Sequence, residues 1–229
     1  MTGRDVRFSV IVSANAEWES VKRVFPDVPS ELSPYGEYFF VEITGYRVMF
    51  FQGGWGKVAA AASTQYVILR FKPTCLINLG TCGGVEGRIN RFDVVAVDRA
   101  VMYDVHEAMS DSTEAIAHYT TDLDIPRTLP GSIRRVTMYS ADRDLTPCHL
   151  RELERRCRPR VADWESGAIA WVAKRNRTRV LILRGVTDLV SLDRGEAEGN
   201  LQFFRESTQQ VMQTLIRDLP EFINALLSS

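Results

Sequence analysis

Apolar runs of strand length alternate with stretches of helical spacing along the whole chain. Val6 to Ser13 is the first run. Tyr38 to Ile43 and Arg47 to Gln52 predict a hairpin around the turn dipeptide Thr44-Gly45. Leu76 to Leu79, Val94 to Val97 and Val180 to Leu183 are further short runs. The last is continuously apolar, as befits a strand buried on both faces. Helical patterns fill the gaps. Glu17 to Phe25 follows the first run, and Lys57 to Arg70 is Ala-rich with no Gly or Pro. Thr146-Pro147 pairs an N-cap residue with a proline at the first helical position, a favoured start. Glu165 to Lys174 carries Ala168, Ile169, Trp171 and Val172 at helical spacing. Asn200 to Ser228 reads as one long helix or one broken helix, with Pro220 in the first turn of a second piece. This alternation predicts an α/β fold, a single-domain three-layer α/β/α arrangement with a central mixed β-sheet. Residues 1–229 are read as one domain, since no linker, repeat or low-complexity tract divides them.

Composition narrows the picture. The 45% hydrophobic and 25% charged fractions are those of a globular chain and argue against disorder. Lys+Arg 28 against Asp+Glu 29 leaves a net charge of −1, so no global field exists to hold nucleic acid or an anionic membrane. No stretch approaches the roughly 18 apolar residues of a membrane helix, and Met1 to Arg7 lacks a signal-peptide apolar core. Cys75, Cys82, Cys148 and Cys157 form no Cys-x-x-Cys pair and are too few for a disulfide scaffold. Reduced thiols in a cytoplasm are therefore expected. Cys75 and Cys82 are read as small buried residues.

Four polar segments follow apolar runs, where open α/β sheets place their sites. In Ser13-Ala14-Asn15-Ala16-Glu17, the acid either stabilises a helix N-terminus or does chemistry. Asn78-Leu79-Gly80-Thr81-Cys82-Gly83-Gly84 is either a tight turn or a loop whose amides approach a ligand. It lacks the Gly-Lys-Ser/Thr of a Walker loop and the spacing of a dinucleotide loop. Gly53-Gly54-Trp55-Gly56-Lys57 has the same character at a helix start. In Asp163-Trp164-Glu165-Ser166-Gly167-Ala168, Asp163 is expected to cap the helix that follows. Gly185-Val186-Thr187-Asp188 ends on an acid that is either a cap or a catalytic group.

Together, Ile77 to Gly84, Asp163 to Ala170 and Gly185 to Asp188 resemble the signature blocks of the purine nucleoside phosphorylase/uridine phosphorylase superfamily. Within it they look most like methylthioadenosine/S-adenosylhomocysteine nucleosidases. Order and spacing agree from residue 6 to about residue 225. The resemblance implies a nucleoside phosphorylase-like sheet closing toward a barrel, and cleavage of an N-glycosidic bond through a ribosyl cation-like transition state. By that resemblance, Asp188 matches the acid that protonates N7 of the departing purine. Glu17 matches the base that activates water, and Glu165 the carboxylate that binds the ribose hydroxyls. Thr81, Cys82 and Gly83 line the sugar side. Trp164 lies beneath the sugar, where the family usually has Met. Asp144 and Leu145 occupy the base loop, and Thr187 adjoins the acid. Superfamily phosphorylases grip phosphate with an Arg three residues before the Ser/Thr of the glycine segment and with a basic residue after the first strand. Here those places hold Asn78 and the uncharged or acidic stretch Ser13 to Glu19, so hydrolysis by water is expected.

The chain departs from the family in three places. Ser140-Ala141-Asp142-Arg143-Asp144-Leu145 lacks the aromatic that stacks on the base. Trp164 makes the pocket floor bulkier. Tyr103 to Asp124 has no clear match, and the spacing of Asp104, His106 and His118 within it fits no standard zinc pattern. No metal and no cofactor are expected. The expected partner is a small-molecule nucleoside, with no nucleic acid and no membrane. A homodimer is expected through the helix face of Gln65, Tyr66 and Leu69, with Tyr103 to Met109 reaching toward the neighbour's pocket. Two readings stay open beside hydrolysis: a nucleoside-binding or signalling module without turnover, and a phosphorylase. Both carboxylate roles retained together favour the enzyme.

Overall fold

The computed structural model describes residues 6–131 and 133–229. In chain order its elements are β1 (Phe8–Val12), α1 (Asn15–Val24), β2 (Glu31–Leu32), β3 (Glu37–Ile43), β4 (Tyr46–Gln52), α2 (Gly56–Phe71), β5 (Cys75–Val85), β6 (Val94–Met102), α3 (Thr113–His118), β7 (Thr120–Asp122), β8 (Arg134–Ser140), α4 (Pro147–Glu154), β9 (Val161–Asp163), α5 (Ser166–Arg175), β10 (Arg179–Val190), α6 (Leu201–Arg217) and α7 (Leu219–Leu227).

β1 runs parallel to β4 on one side and to β5 on the other. β3 returns along β4 through Thr44 and Gly45, whose φ values of 50° and 78° are the left-handed pair that short hairpin turns favour. On the other flank the sheet closes. β5 pairs with β10, β10 with β6, β6 with β8, β8 with β9, and β9 again with β5. The fold is thus a mixed sheet whose larger part is a strand ring and whose remainder, β1 to β4, extends from it.

Alternation along the strands sends side chains into two cores. Ile11, Met49, Phe51 and Leu76 join Ala60 and Val67 of α2 and Ile169 and Ala173 of α5. Val10, Val48, Phe50 and Ile77 join Trp18 of α1, Leu215 of α6 and Phe222 of α7. Helices therefore cover both faces, as the three-layer pattern requires. The C-terminal helix is the broken one, interrupted at Asp218 just before Pro220.

Two expectations need correction. The glycine segment after Leu79 is no turn, because β5 continues through Val85. Its glycines answer close packing instead. A Cβ on Gly84 would lie 2.6 Å from Ile89 Cγ2 and 2.8 Å from Val186 Cγ1. Likewise, Gly185 to Asp188 lies inside β10, with a register irregularity between Val186 and Asp188. The strands β8 and β9 and the short elements α3 and β7 were not anticipated. In β8, Val136, Met138 and Ser140 are buried while Arg134 and Arg135 are exposed, a period-two pattern that the sequence does carry.

Candidate active site

Glu17 lies in the first turn of α1, and it is only 5% exposed. Its Oε2 accepts the Ala14 amide at 3.0 Å, so it does complete the helix start. Its Oε1 reaches across to β5 and accepts the Thr81 amide at 2.6 Å and the Thr81 hydroxyl at 2.8 Å. Three donors on one carboxylate fix its orientation. Gly80 makes this approach possible. A Cβ there would lie 2.8 Å from both Glu17 Oε1 and Arg184 Nη1.

Arg184 is the feature that sequence reasoning missed. It sits in the apolar run of β10 and is 1% exposed. Its Nε donates to Asp163 Oδ2 at 2.9 Å and its Nη2 to Asn78 Oδ1 at 2.7 Å. Asn78 in turn donates to the Ile11 carbonyl at 2.9 Å. Asp163 also accepts the Ser140 hydroxyl at 2.5 Å and the Ser166 amide at 3.1 Å, so it does support the start of α5. A buried ion pair this fully hydrogen-bonded is tolerated where a lone charge would not be. Burial alone would weaken the charged guanidinium, but Asp163, Glu17 and Glu165 outweigh that and raise its pKa. The available signal was an arginine directly after the apolar run Val180 to Leu183, where a buried charge requires an acid.

Glu165, at the junction of β9 and α5, accepts the Gly56 amide at 3.0 Å. Burial pushes its pKa up to about 8, helped by the charges of Asp163 and Glu17 and opposed by the Gly56 amide. Asp188 stands opposite Gly83 in the ladder and accepts the Thr187 hydroxyl at 2.7 Å. Its pKa is raised from the ordinary aspartate value, chiefly by burial and further by the charges of Glu196 and Asp144, against the Thr187 hydrogen bond. Thr187 Oγ1 also lies 3.3 Å from the Cys82 carbonyl. Cys82 itself is buried, and burial pushes its thiol well above the usual range, which removes it as a nucleophile.

The middle of β5 and β10 thus brings together Glu17, Thr81, Cys82, Gly83, Glu165, Thr187 and Asp188. The base-loop residues are less uniformly placed. Asp144 is exposed in the segment after β8, yet its charge is felt at Asp188. Leu145 turns inward against the clusters of Tyr103 and Leu153 and of Val85, Leu150 and Val190. Trp164 is half-buried beside Glu165. Asp104 is committed to Lys57, and His118 packs on Tyr119 and Trp171. Among the described residues no group of three His, Cys, Asp or Glu is placed to hold a metal. A cavity of about 570 Å³ lies elsewhere, lined in part by Phe92, Asp93, Asp218 and Glu221, and includes none of these carboxylates.

The helix face expected at an interface divides in two. Gln65 exchanges hydrogen bonds with Asn176 of α5, and Tyr66 packs among Tyr35, Phe51 and Phe71. Leu69 does face solvent at 64% exposure, in company with Trp55 at 59% and Val58 at 83%.

Acids brought together within β5 and β10 and at the adjoining helix starts, two of them with raised pKa, are the arrangement of an enzyme-like small-molecule site. The chain belongs to the phosphorylase superfamily, whose family model matches residues 10–224. It is 23% identical over 224 residues to a 5'-methylthioadenosine/S-adenosylhomocysteine nucleosidase of Marinomonas sp. (strain MWYL1), covering 91% of this chain and 97% of that one. Among solved structures, a Streptococcus pneumoniae MTA/SAH nucleosidase in complex with 8-aminoadenine superposes with a TM-score of 0.77 at 20% identity, covering 96% and 99% of the two chains. Arabidopsis thaliana 5'-methylthioadenosine nucleosidase in apo form gives 0.76 at 21% identity, covering 94% and 96%.

Proposed function

We propose that this protein is a purine nucleosidase that hydrolyses the N-glycosidic bond of a methylthioadenosine- or S-adenosylhomocysteine-like nucleoside. The observation that carries the reading is the division of labour among buried acids. Glu17 is fixed in place by three hydrogen-bond donors, while Asp188 has its pKa raised, chiefly by burial, and is suited to hold a proton. Paired groups whose environments differ in this way mark base and acid. In the reaction, water attacks C1′ of the sugar and gives a proton to Glu17. The bond from C1′ to the base nitrogen breaks as Asp188 protonates N7, and its electron pair leaves with the base. Glu165 engages the ribose hydroxyls. As the sugar becomes cationic its ionised form is favoured, which lowers the barrier. Thr81, Cys82 and Gly83 line the sugar, Trp164 supports it, and Asp144, Leu145 and Thr187 bound the base side.

Water rather than phosphate is the proposed nucleophile. Asn78 is neutral and engaged, and the one buried guanidinium nearby, Arg184, is committed to Asp163 and faces the charges of Glu17 and Glu165. A phosphate dianion would meet net negative charge there. We further infer a homodimer through the exposed apolar residues Trp55, Val58 and Leu69, and a cytoplasmic location, consistent with four free cysteines. The test is incubation with methylthioadenosine, S-adenosylhomocysteine, adenosine and inosine, with and without phosphate, reading free base and reducing sugar. Base release that ignores phosphate supports the proposal. Ribose-1-phosphate products would replace it with phosphorolysis, and binding without base release would leave a binding module.

A further inference from the structure

The first turn of α2 touches both halves of the site at once. The Gly56 amide donates to Glu165 Oε1 at 3.0 Å, and the next amide, that of Lys57, donates to Asp142 Oδ1 at 2.7 Å. The Lys57 side chain then folds back over the same segment. Its Nζ pairs with Asp104 and lies 3.7 Å from Asp142 Oδ2. Asp104 closes the circuit by accepting the Asp142 amide on its Oδ2 at 3.0 Å. Lys57 and Asp104 are largely shielded, with side-chain exposures of 20% and 16%. The docking is close. Gly56 adopts φ +74°, and a Cβ on it would come within 2.8 Å of Asp142 Oδ1.

From this geometry we infer that Lys57 is a positioning residue, which uses the Asp104–Asp142 pair to hold the segment Asp142 to Leu145 at a fixed distance from Glu165. The inference rests on the nucleosidase reading, since it assigns this segment to the base of the substrate. Three chain regions far apart in sequence converge on the ammonium group: the start of α2, the segment after β6 and the segment after β8. Two carboxylates this close repel unless a cation lies between them. Without the Lys57 ammonium the segment after β8 keeps its two amide hydrogen bonds but loses the cation that offsets Asp104 and Asp142, while Glu17, Asp188 and the Gly56 amide are left in place. The effect is therefore expected in nucleoside binding and not in the bond-breaking step.

The test compares Lys57→Met, Lys57→Arg and Asp104→Asn with the unaltered protein, using methylthioadenosine as probe. Turnover is followed by base release, and affinity by quenching of tryptophan fluorescence. Lys57→Met should raise KM and Kd about tenfold while kcat stays within about threefold, the scale of a partly shielded ion pair. Lys57→Arg should recover most of that loss because the cation is restored. Asp104→Asn removes only a charge and should shift KM in the same direction by less, which provides a reading if Lys57→Met does not fold. An unchanged KM in a folded Lys57→Met protein, or a fall in kcat with KM unchanged, overturns the inference. If the unaltered protein binds methylthioadenosine but releases no base, the hydrolase reading fails alone, and the Kd series still decides the role of Lys57. If it neither binds nor turns over the probe, both fall together.

Discussion

Glu17 and Asp144 are acids in two regions of the molecule, and the chain holds them in opposite ways. Around Glu17 each neighbour is fixed by another: Thr81 by β5, Asn78 by the Ile11 carbonyl, Arg184 by Asp163, and Asp163 by Ser140 and Ser166. In the segment of Asp144, Asp142 and Asp144 are exposed while Arg143 and Leu145 are half-buried, and the segment is tied down through Asp142, Asp104 and Lys57. The first region is a buried polar network in low dielectric, where geometry is set before any ligand arrives. The second is a surface segment on a few ionic anchors. On the proposed reading the base Glu17 belongs to the first, and the departure from the family pattern at Ser140 to Leu145 belongs to the second. Rigid elements would then carry the reaction, and the looser segment would be free to change what is recognised.

The largest expected effect breaks this contrast at its catalytic poles. Asp188→Asn should fold normally, bind nucleoside and lose about 10² to 10⁴ in kcat, because it is nearly isosteric but cannot donate the proton. Glu17→Gln should likewise lower kcat while binding persists. Turnover near that of the unaltered protein in either variant would remove the acid–base assignment.

The next effect is on stability. Arg184→Met leaves Asp163 buried without its cation, and removing one partner of a buried pair costs about 3–5 kcal/mol. Urea unfolding should show that loss. The exposed segment offers the contrast, since Asp144→Ala should shift stability by no more than about 0.5 kcal/mol. Equal losses from the two substitutions would erase the distinction.

A smaller effect depends on pH. Glu165 has its pKa raised from an ordinary 4.5 to about 8 in the folded chain. Between those values the folded state holds a proton that the unfolded state has released. Stability from this group is therefore complete below about 4.5, declines by about 1.4 kcal/mol per pH unit at most, and is gone once pH passes about 8. The raised acid of Asp188 acts in the same sense. Glu165→Gln should flatten the decline measured by urea midpoints across pH 5–8. An unaltered slope would assign the proton to another group.

The smallest effect sharpens the comparison. Asp144→Phe should restore a stacking surface and tighten binding of adenine nucleosides by several-fold, with kcat little changed, since aromatic contact contributes about 1 kcal/mol. Weaker binding would show that Asp144 itself contacts the ligand.

Much of this was legible in sequence, and for identifiable reasons. The hairpin at Thr44-Gly45, the Thr146-Pro147 helix start and the break near Pro220 rest on local chemistry, which residue type reports directly. The acids at positions 17, 165 and 188 stood out because polar groups interrupted apolar runs. Glycine misled. Gly80 and Gly84 are demanded by neighbours from other strands, and a glycine required by close approach looks the same in sequence as one required by a turn. Arg184 was missed because its partners Asp163 and Asn78 lie 21 and 106 residues away. The contacts of half-buried Gln65 and Tyr66 were hidden similarly, since α2 packs against α5 as well as against Phe51 of the sheet.

The ring of strands also dictates when the protein acquires its site. β5 at residues 75–85 closes only when β10 at residues 179–190 lies beside it, and between them the chain must first lay down β6, β8 and β9. Ordering so long an intervening loop before any pairing is gained makes closure slow, as contacts distant in sequence generally do. Asp188 and Arg184 both travel on that last strand. During synthesis the N-terminal part therefore carries Glu17 and Thr81 on an open sheet, with no acid opposite and no cation beneath. Its uncovered β5 edge is the surface most exposed to mispairing until β10 arrives.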